Sequence, residues 1–301
     1  MNTQDNSTTA MTPFSTLLLK LAPFLFVLLW SSGSTVSKIG LQFSSVWTFL
    51  FLRSVVTCIL LFFICTFMQK KGHLKGHSLF SNTKNSILAG IFLQFGYQAF
   101  LFLSISSGLS IGFIALILGV QPLLTPILAR EKLAPKMIFI LIAAFLGVIL
   151  TIIGYKKMEG FTLLGFVFAI ISVTSITIGS ILQKKNSSHI FENLRIQFMT
   201  SSTLFGLSLF FGHWYLHFNP TFLFSLSWMI LVVSLGANFL LIFMMKSHCA
   251  SKVSSLFFCI PPVVMTLDYF CFSTRIAPIS MVGTLLIMVS VKLYFSSVCA
   301  R

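Results

Sequence analysis

The sequence predicts an all-α integral membrane protein of ten transmembrane helices, arranged as two inverted five-helix repeats. Three observations carry this: the composition, the length of the apolar runs, and a register of Gly, amide and Pro residues that returns after 140 positions. Of 301 residues, 56% are hydrophobic and only 8% are charged, with a mean hydropathy of +0.99. Soluble domains carry about 25% charged residues, so this chain cannot dress a water-facing surface. The runs are continuous and about 20 residues long, as a helix crossing a bilayer core requires. An outer-membrane barrel would instead alternate over strands of about ten residues.

In order along the chain, the spans are expected at 21–41, 46–68, 86–106, 110–129, 136–154, 161–182, 193–212, 226–246, 252–273 and 277–298. The third and fourth are separated only by Ser106, Ser107, Gly108 and Leu109. Together they are too long for one crossing, so two helices are counted. Gly108 and Gly112 form a GxxxG spacing there, a packing signal for the start of the fourth helix. Residues 1–20 read as a polar cytoplasmic tail holding Asp5 and Pro13. They lack a basic segment before a short apolar run and a small-residue cleavage site, so no cleavable signal peptide is expected.

The net charge of +15 would point to nucleic acid in a soluble protein. Here most Lys and Arg lie between apolar runs, where they set topology instead, and no nucleic-acid partner is expected. With the N-terminus inside, that side collects Lys20, Lys70, Lys71, Lys75, Lys84, Arg130, Lys132, Lys136, Lys184, Lys185, Arg195, Lys246, Lys252 and Arg301. The other side holds Lys38, Lys156, Lys157 and Arg275. This bias predicts that both termini are cytoplasmic. Arg53 and Lys38 sit near outer helix ends, where snorkelling and anion binding are both readings.

Shifting the chain by 140 residues lays Gln94–Pro122 on Ser234–Pro262 without a gap. Gly96 meets Gly236, Gln98 meets Asn238, Leu101 meets Leu241, Leu116 meets Leu256 and Pro122 meets Pro262; Ala134-Pro135 meets Ala277-Pro278 at a shift of 143. The halves are thus 21–154 and 161–298. A five-helix unit is odd, so its second copy enters the membrane from the opposite side. Inverted pairs of this kind build many secondary transporters, with the substrate site near the midplane where the halves meet. A static duplicated bundle is the other reading.

The segments Leu28-Leu29-Trp30-Ser31-Ser32-Gly33 into Lys38, then Phe51-Leu52-Arg53, resemble the EamA-type pattern of the drug/metabolite transporter superfamily. So do Gln121-Pro122-Leu123-Leu124-Thr125 into Arg130-Glu131-Lys132-Leu133, and Ile260-Pro261-Pro262 through Ile276-Ala277-Pro278. The resemblance covers roughly 20–298. It implies a ten-helix carrier of metabolites in the bacterial inner (plasma) membrane, commonly an exporter of amino acids or similar solutes. It also implies that helices one, three, four, six, eight and nine surround a central cavity. Two departures stand out: Thr274 occupies the place of Glu131, and the Pro pair spans 262 to 278 rather than 122 to 135.

Polar residues inside the spans are the substrate-binding candidates: Trp30 and Ser34; Gln94, Tyr97 and Gln98; Gln121; Thr174; Asn238; and Ser255. Amides and hydroxyls in lipid must find partners, so helix packing is the alternative role for each. Asp268 is the carboxylate expected within a span and the candidate for proton coupling; an interfacial role beside Arg275 is its other reading. All six histidines fall in loops or at helix ends. The six cysteines show no CxxC pair or metal-ligand spacing and read as packing residues. Neither metal nor cofactor is expected. HExxH and phosphate-binding glycine loops are absent from the sequence, so an enzyme is not expected.

The function expected is a secondary transporter of a small neutral or zwitterionic, amino-acid-like metabolite, working by alternating access and directed to export. The alternatives are an uptake or exchange carrier for a nucleoside-like solute such as S-adenosylmethionine, which Trp30, Tyr97 and Tyr269 could stack, and a membrane receptor that binds without transport. The partners expected are the solute, membrane lipid and a coupling proton.

Overall fold

A bilayer core offers no water to backbone N–H and C=O groups, so apolar segments there satisfy them internally as helices. The computed structural model describes residues 13–72, 83–109, 111–155, 160–186, 188–210, 213–272 and 276–298. All regular elements among them are helical, one isolated bridge between Ser44 and Leu216 aside. Seven helices are long and apolar enough to cross a membrane: Val46–Lys70, Thr83–Ser106, Pro135–Gly154, Leu163–Lys184, Pro220–Ser247, Ala250–Cys271 and Pro278–Ser297.

In chain order the elements are α1 (Pro13–Gly40), α2 (Val46–Lys70), α3 (Thr83–Ser106), α4 (Ile111–Leu118), α5 (Gln121–Leu128), α6 (Pro135–Tyr155), α7 (Leu163–Lys184), α8 (Ile190–Leu207) and α9 (Pro220–Ser247). The tenth, α10, runs from Ala250–Ser254 through a 3-10 turn at Ser255–Cys259 into Ile260–Phe272, and α11 is Pro278–Val298. Two N-termini are capped in the expected manner. Ser45 Oγ accepts from the Thr48 N–H at 3.2 Å ahead of α2, and Asn219 Oδ1 accepts from the Phe222 N–H at 2.7 Å ahead of α9.

Several elements depart from the sequence expectation, each for a local reason. α1 begins at Pro13, well ahead of the expected 21, because a helix can extend beyond its apolar stretch. The expected span 110–129 is two short helices broken at Gly119-Val120. Pro122 has no N–H and stands in the first turn of α5, so the helical ladder cannot run through it. The 3-10 turn of α10 precedes Pro261-Pro262 for the same reason. Gly108 is not a helix-packing residue: it has φ +85°, in the left-handed region open to glycine, and it ends α3 beside Gly160 at φ +89°.

Two π-helical stretches were not foreseen. Gly90–Gly96 lies inside α3 and Met229–Ala237 inside α9. Moved by 140 positions, the first falls on 230–236, within the second. A π stretch inserts extra residues per turn, re-aims the side chains that follow, and clusters at functional sites.

The distribution of side chains is inside-out. Phe24, Phe63, Phe139, Leu163, Phe270 and Leu285 are exposed, while Arg53, Gln94, Gln121, Gln183, Asn193, Gln197 and Asn238 are buried. Apolar atoms facing outward are stable against lipid and costly against water. α6 and α11 pack closely at Gly147 and Gly283, where a Cβ on either would meet the facing backbone, and Ser280 Oγ donates to Thr151 O at 2.9 Å. Gly90 and Gly179 likewise let α8 and α7 approach α3 at Gln197 and Leu93.

The bundle has two ends. One carries the 41–45 and 213–219 loops, joined by Ser45 N–H to Tyr215 O (2.9 Å) and His217 N–H to Phe43 O (2.6 Å); it is called the far end below. The other, the near end, carries the 129–134, 185–189 and 248–249 connections.

Candidate functional site

The two π stretches deliver amides to the middle of the bundle. Gln94 Nε2 donates to Asn238 Oδ1 at 3.0 Å, joining α3 to α9 at the stretches themselves. From α2, Arg53 donates from Nε to Ser234 Oγ at 2.7 Å and from Nη1 to Gln98 Oε1 at 2.9 Å. One cation thus ties together three helices at residues that the 140-residue shift relates: Gln94 falls on Ser234, and Gln98 on Asn238.

These groups border two adjoining chambers. The larger is about 450 Å³, and the smaller about 90 Å³. Trp30, Ser34, Ser37, Tyr97, Leu101 and Phe102 line both. The small chamber adds Arg53, Gln94, Gln98 and Asn238. The large one adds apolar walls from Ile114, Leu118, Ile176, Phe257 and Pro261, with Gln121 at its side. Lys38, Leu41 and Ser106, at helix termini of the far end, also border it, so the chamber reaches that end. On the near side it is floored by three rings: Trp30 lies 5.4 Å from both Phe26 and Phe257, which are 5.5 Å apart. Two of these contacts are edge-to-face and the Phe26–Trp30 pair is tilted.

The structure brings seven of the residues chosen from sequence to these chambers: Trp30, Ser34, Gln94, Tyr97, Gln98, Gln121 and Asn238. Two others are elsewhere. Thr174 Oγ1 donates to Ile170 O within α7, and Ser255 Oγ donates to Lys252 O within α10; neither borders a chamber. Hydroxyls that satisfy themselves on the preceding turn need no cavity. Asp268 falls on α10, but its side chain, together with Thr274 and Arg275, lies outside the described residues. Tyr269 is exposed and borders neither chamber.

Of the two readings of Arg53, burial disfavours snorkelling. Snorkelling would place its head in the interfacial water, yet the residue is 6% exposed. The signal was present in α2: Phe49, Leu50, Arg53, Ser54, Thr57 and Leu61 recur at helical spacing and are all buried. A stripe containing Ser, Thr and Arg alongside Leu faces a polar interior, not lipid.

A buried chain of amides, leading from the chambers to the near end, was missed. Gln94 Nε2 also approaches Gln197 Oε1 (3.3 Å); Gln197 Nε2 donates to Gln183 Oε1 and to Asn193 Oδ1 (3.0 Å). Asn186 Nδ2 donates to Asn193 Oδ1 (3.1 Å) and Ser86 Oγ (2.7 Å), and Ser188 donates to Asn186 Oδ1. Lys246 Nζ donates to Ser188 O. The chain links α3, α7, α8 and α9.

The near end holds one charged contact between the halves. Glu131 Oε1 accepts from the backbone N–H of Ala250 (3.0 Å) and of Ser251 (3.4 Å), capping the start of α10 with a carboxylate. Lys252 Nζ sits 4.8 Å from the Phe295 ring. Two histidines there have pKa values pushed below the ordinary 6.5: His189 by burial and Lys246, His248 by burial and the nearby Lys252 and Lys184. Among the described residues no cluster of His, Cys, Asp or Glu could hold a metal ion.

The fold is similar to that of solved structures. One, a crystal structure of a protein, superposes with a TM-score of 0.73 at 15% identity, covering 93% of this chain and 97% of that one. At such identity the likeness is one of fold. No family model matches the chain, and no curated protein is similar to it.

Proposed function

We propose that this chain is a secondary transporter that moves a small neutral or zwitterionic, amino-acid-like metabolite by alternating access, and that it exports it. Its architecture, on this reading, is ten membrane helices in two inverted five-helix repeats of the EamA type, in a bacterial inner membrane with both termini cytoplasmic. The observation that carries the proposal is the cavity: it lies between residues of both halves, reaches one end, and is closed toward the other by the Phe26–Trp30–Phe257 rings. Its two π stretches, matching under the 140-residue shift, support the repeat.

A carrier requires that the same site face each side in turn. Here the far-end mouth is in place and the near-end contacts are made, which corresponds to one of the two states. Movement of α4–α5 and α10 at their proline breaks would exchange them. The buried amides give the solute orientation at little cost in selectivity for net charge, which fits a neutral or zwitterionic cargo.

Proteoliposomes loaded with a metabolite pool, and assayed by mass spectrometry of the external medium, test the proposal. Saturable loss of one solute class is expected. Saturable binding without flux for any solute would establish a receptor instead. Proton coupling through Asp268 is tested by Asp268→Asn: flux is expected to lose its dependence on a pH gradient, and unchanged dependence would remove that role.

A further inference from the structure

A guanidinium in hydrocarbon costs at least about 2.5–3.5 kcal/mol on insertion scales, so buried arginines are usually paired with a carboxylate. Arg53 has no such partner among the described residues. Its two hydrogen bonds go to neutral oxygens, on Ser234 and Gln98. Neither chamber is lined by an Asp or Glu. Of the five N–H groups an arginine carries, two are used by these partners. The rest border a cavity.

The two bonds fix the head group. α2 supplies it, α3 and α9 hold it, and its orientation is set before any ligand arrives. Such preorganisation lowers the entropic cost of recognition. The free N–H groups form a planar donor set suited to an oxyanion such as a carboxylate. An inorganic anion would leave the adjoining space without a purpose. That chamber, about 450 Å³, presents Trp30, Leu101, Phe102, Ile176 and Phe257, all suited to a carbon skeleton.

We infer that Arg53 binds the carboxylate of the transported solute, and that the substrate class is amphipathic monocarboxylates, aromatic and branched aliphatic amino acids included. The inference rests on the transporter reading above and extends its cargo from zwitterions to monoanions: the charge is specified at one atom group, and the apolar part by the larger chamber. Arg53 is the specificity-determining residue; Gln98 and Ser234 are positioning residues that act through it.

The test pairs each acid with its amide. Phenylacetate, 4-methylvalerate and phenylalanine are titrated into the purified full-length protein by calorimetry, beside phenylacetamide, 4-methylvaleramide and phenylalaninamide. Acids are expected to bind at least about tenfold more tightly than their amides, the range for a hydrogen bond to a charged partner. Arg53→Gln is expected to abolish that preference. Gln98→Ala and Ser234→Ala, which loosen the head group but keep its charge, are expected to reduce it several-fold. Equal binding of acid and amide by the native protein, absence of acid binding, or an acid preference retained by Arg53→Gln would each overturn the inference. The acid-to-amide ratio of the native protein needs no variant, so misfolding of Arg53→Gln leaves the test decisive. Flux of the same pairs in proteoliposomes separates the two readings. Acids that bind selectively but do not cross sink the transporter and keep the carboxylate site. Amides that cross as fast as acids keep the transporter and sink the site.

Discussion

The two ends of this bundle differ in chemistry. At the far end, helix termini around Lys38, Leu41 and Ser106 part to form the cavity mouth. At the near end, α3, α7, α8 and α9 are laced by buried amides, and Glu131 caps α10 across the halves. Under the repeat, the residue that would perform the same capping service at the far end is Thr274, which carries no charge. A charged cap and a neutral residue at equivalent places bias the two ends differently. The comparison teaches that a single carboxylate placed at one helix start can join the elements of one end and leave the other end without such a contact.

Gln197 is the hub of the near-end lacing, and its removal gives the largest expected effect. Gln197→Leu keeps the volume but orphans Gln183 Oε1 and takes one contact each from Gln94 and Asn193, which retain Asn238 and Asn186. Each orphaned buried polar group costs on the order of 1–3 kcal/mol. Thermal unfolding in detergent is expected to show a drop of several degrees for Gln197→Leu. Thr174→Val, whose hydroxyl bonds only within its own helix, is expected to shift the midpoint negligibly. Equal midpoints for the two variants would show that the amide chain does not hold the near end.

Much of this arrangement was legible in the sequence, and the rest was hidden for identifiable reasons. Trp30, Tyr97, Gln98 and Asn238 stood out because polar groups are rare in apolar runs, and the cavity collects them. Thr174 and Ser255 stood out on the same ground, but a hydroxyl can satisfy itself on its own helix, which an amide does less readily. For Arg53 snorkelling and anion binding stayed open, because distance from a helix end says nothing of the face a residue occupies; the stripe with Ser54 and Thr57 does. The π stretches leave no compositional mark, so the precise aim of Gln94 and Asn238 required the backbone. The break at Gly119-Val120 was foreshadowed by Pro122, which cannot continue the helical ladder.

The smaller expected effect of Glu131→Gln sharpens the comparison directly. The variant keeps one acceptor oxygen but removes the charge that favours the α10 N-terminus. Such caps are worth about 0.5–2 kcal/mol, which corresponds to roughly a 2- to 30-fold shift between states. In a background with the six native cysteines replaced, a cysteine introduced at buried Ser254 reports opening of the near end through its maleimide labelling rate. Faster labelling is expected for Glu131→Gln. Thr274→Glu, which gives the second half the residue of the first, is expected to slow labelling of a cysteine at Ser34 in the cavity. If neither rate moves, the cap does not set the balance of the two ends.

The smallest effect concerns pH, and it too distinguishes the ends, because both shifted histidines are at the near one. His189 and His248 have folded pKa values below 6.5, so below that pH the unfolded chain binds more protons than the folded one. Stability therefore rises with pH across the window beneath 6.5 and is lost as pH falls through it. Both side chains are only partly buried, so solvent screens the effect and the shift in melting point is expected to be small. The measurement is a difference: the native protein and a His189→Asn, His248→Asn double variant are melted from pH 7.5 to 5.5. Other groups titrate in both proteins and cancel, so the native protein is expected to lose more on acidification. Parallel curves would mean that the lysines and burial at the near end leave these imidazoles as they are in the unfolded chain. The near end would then owe its closure to amides and the Glu131 cap, with no contribution from histidine charge.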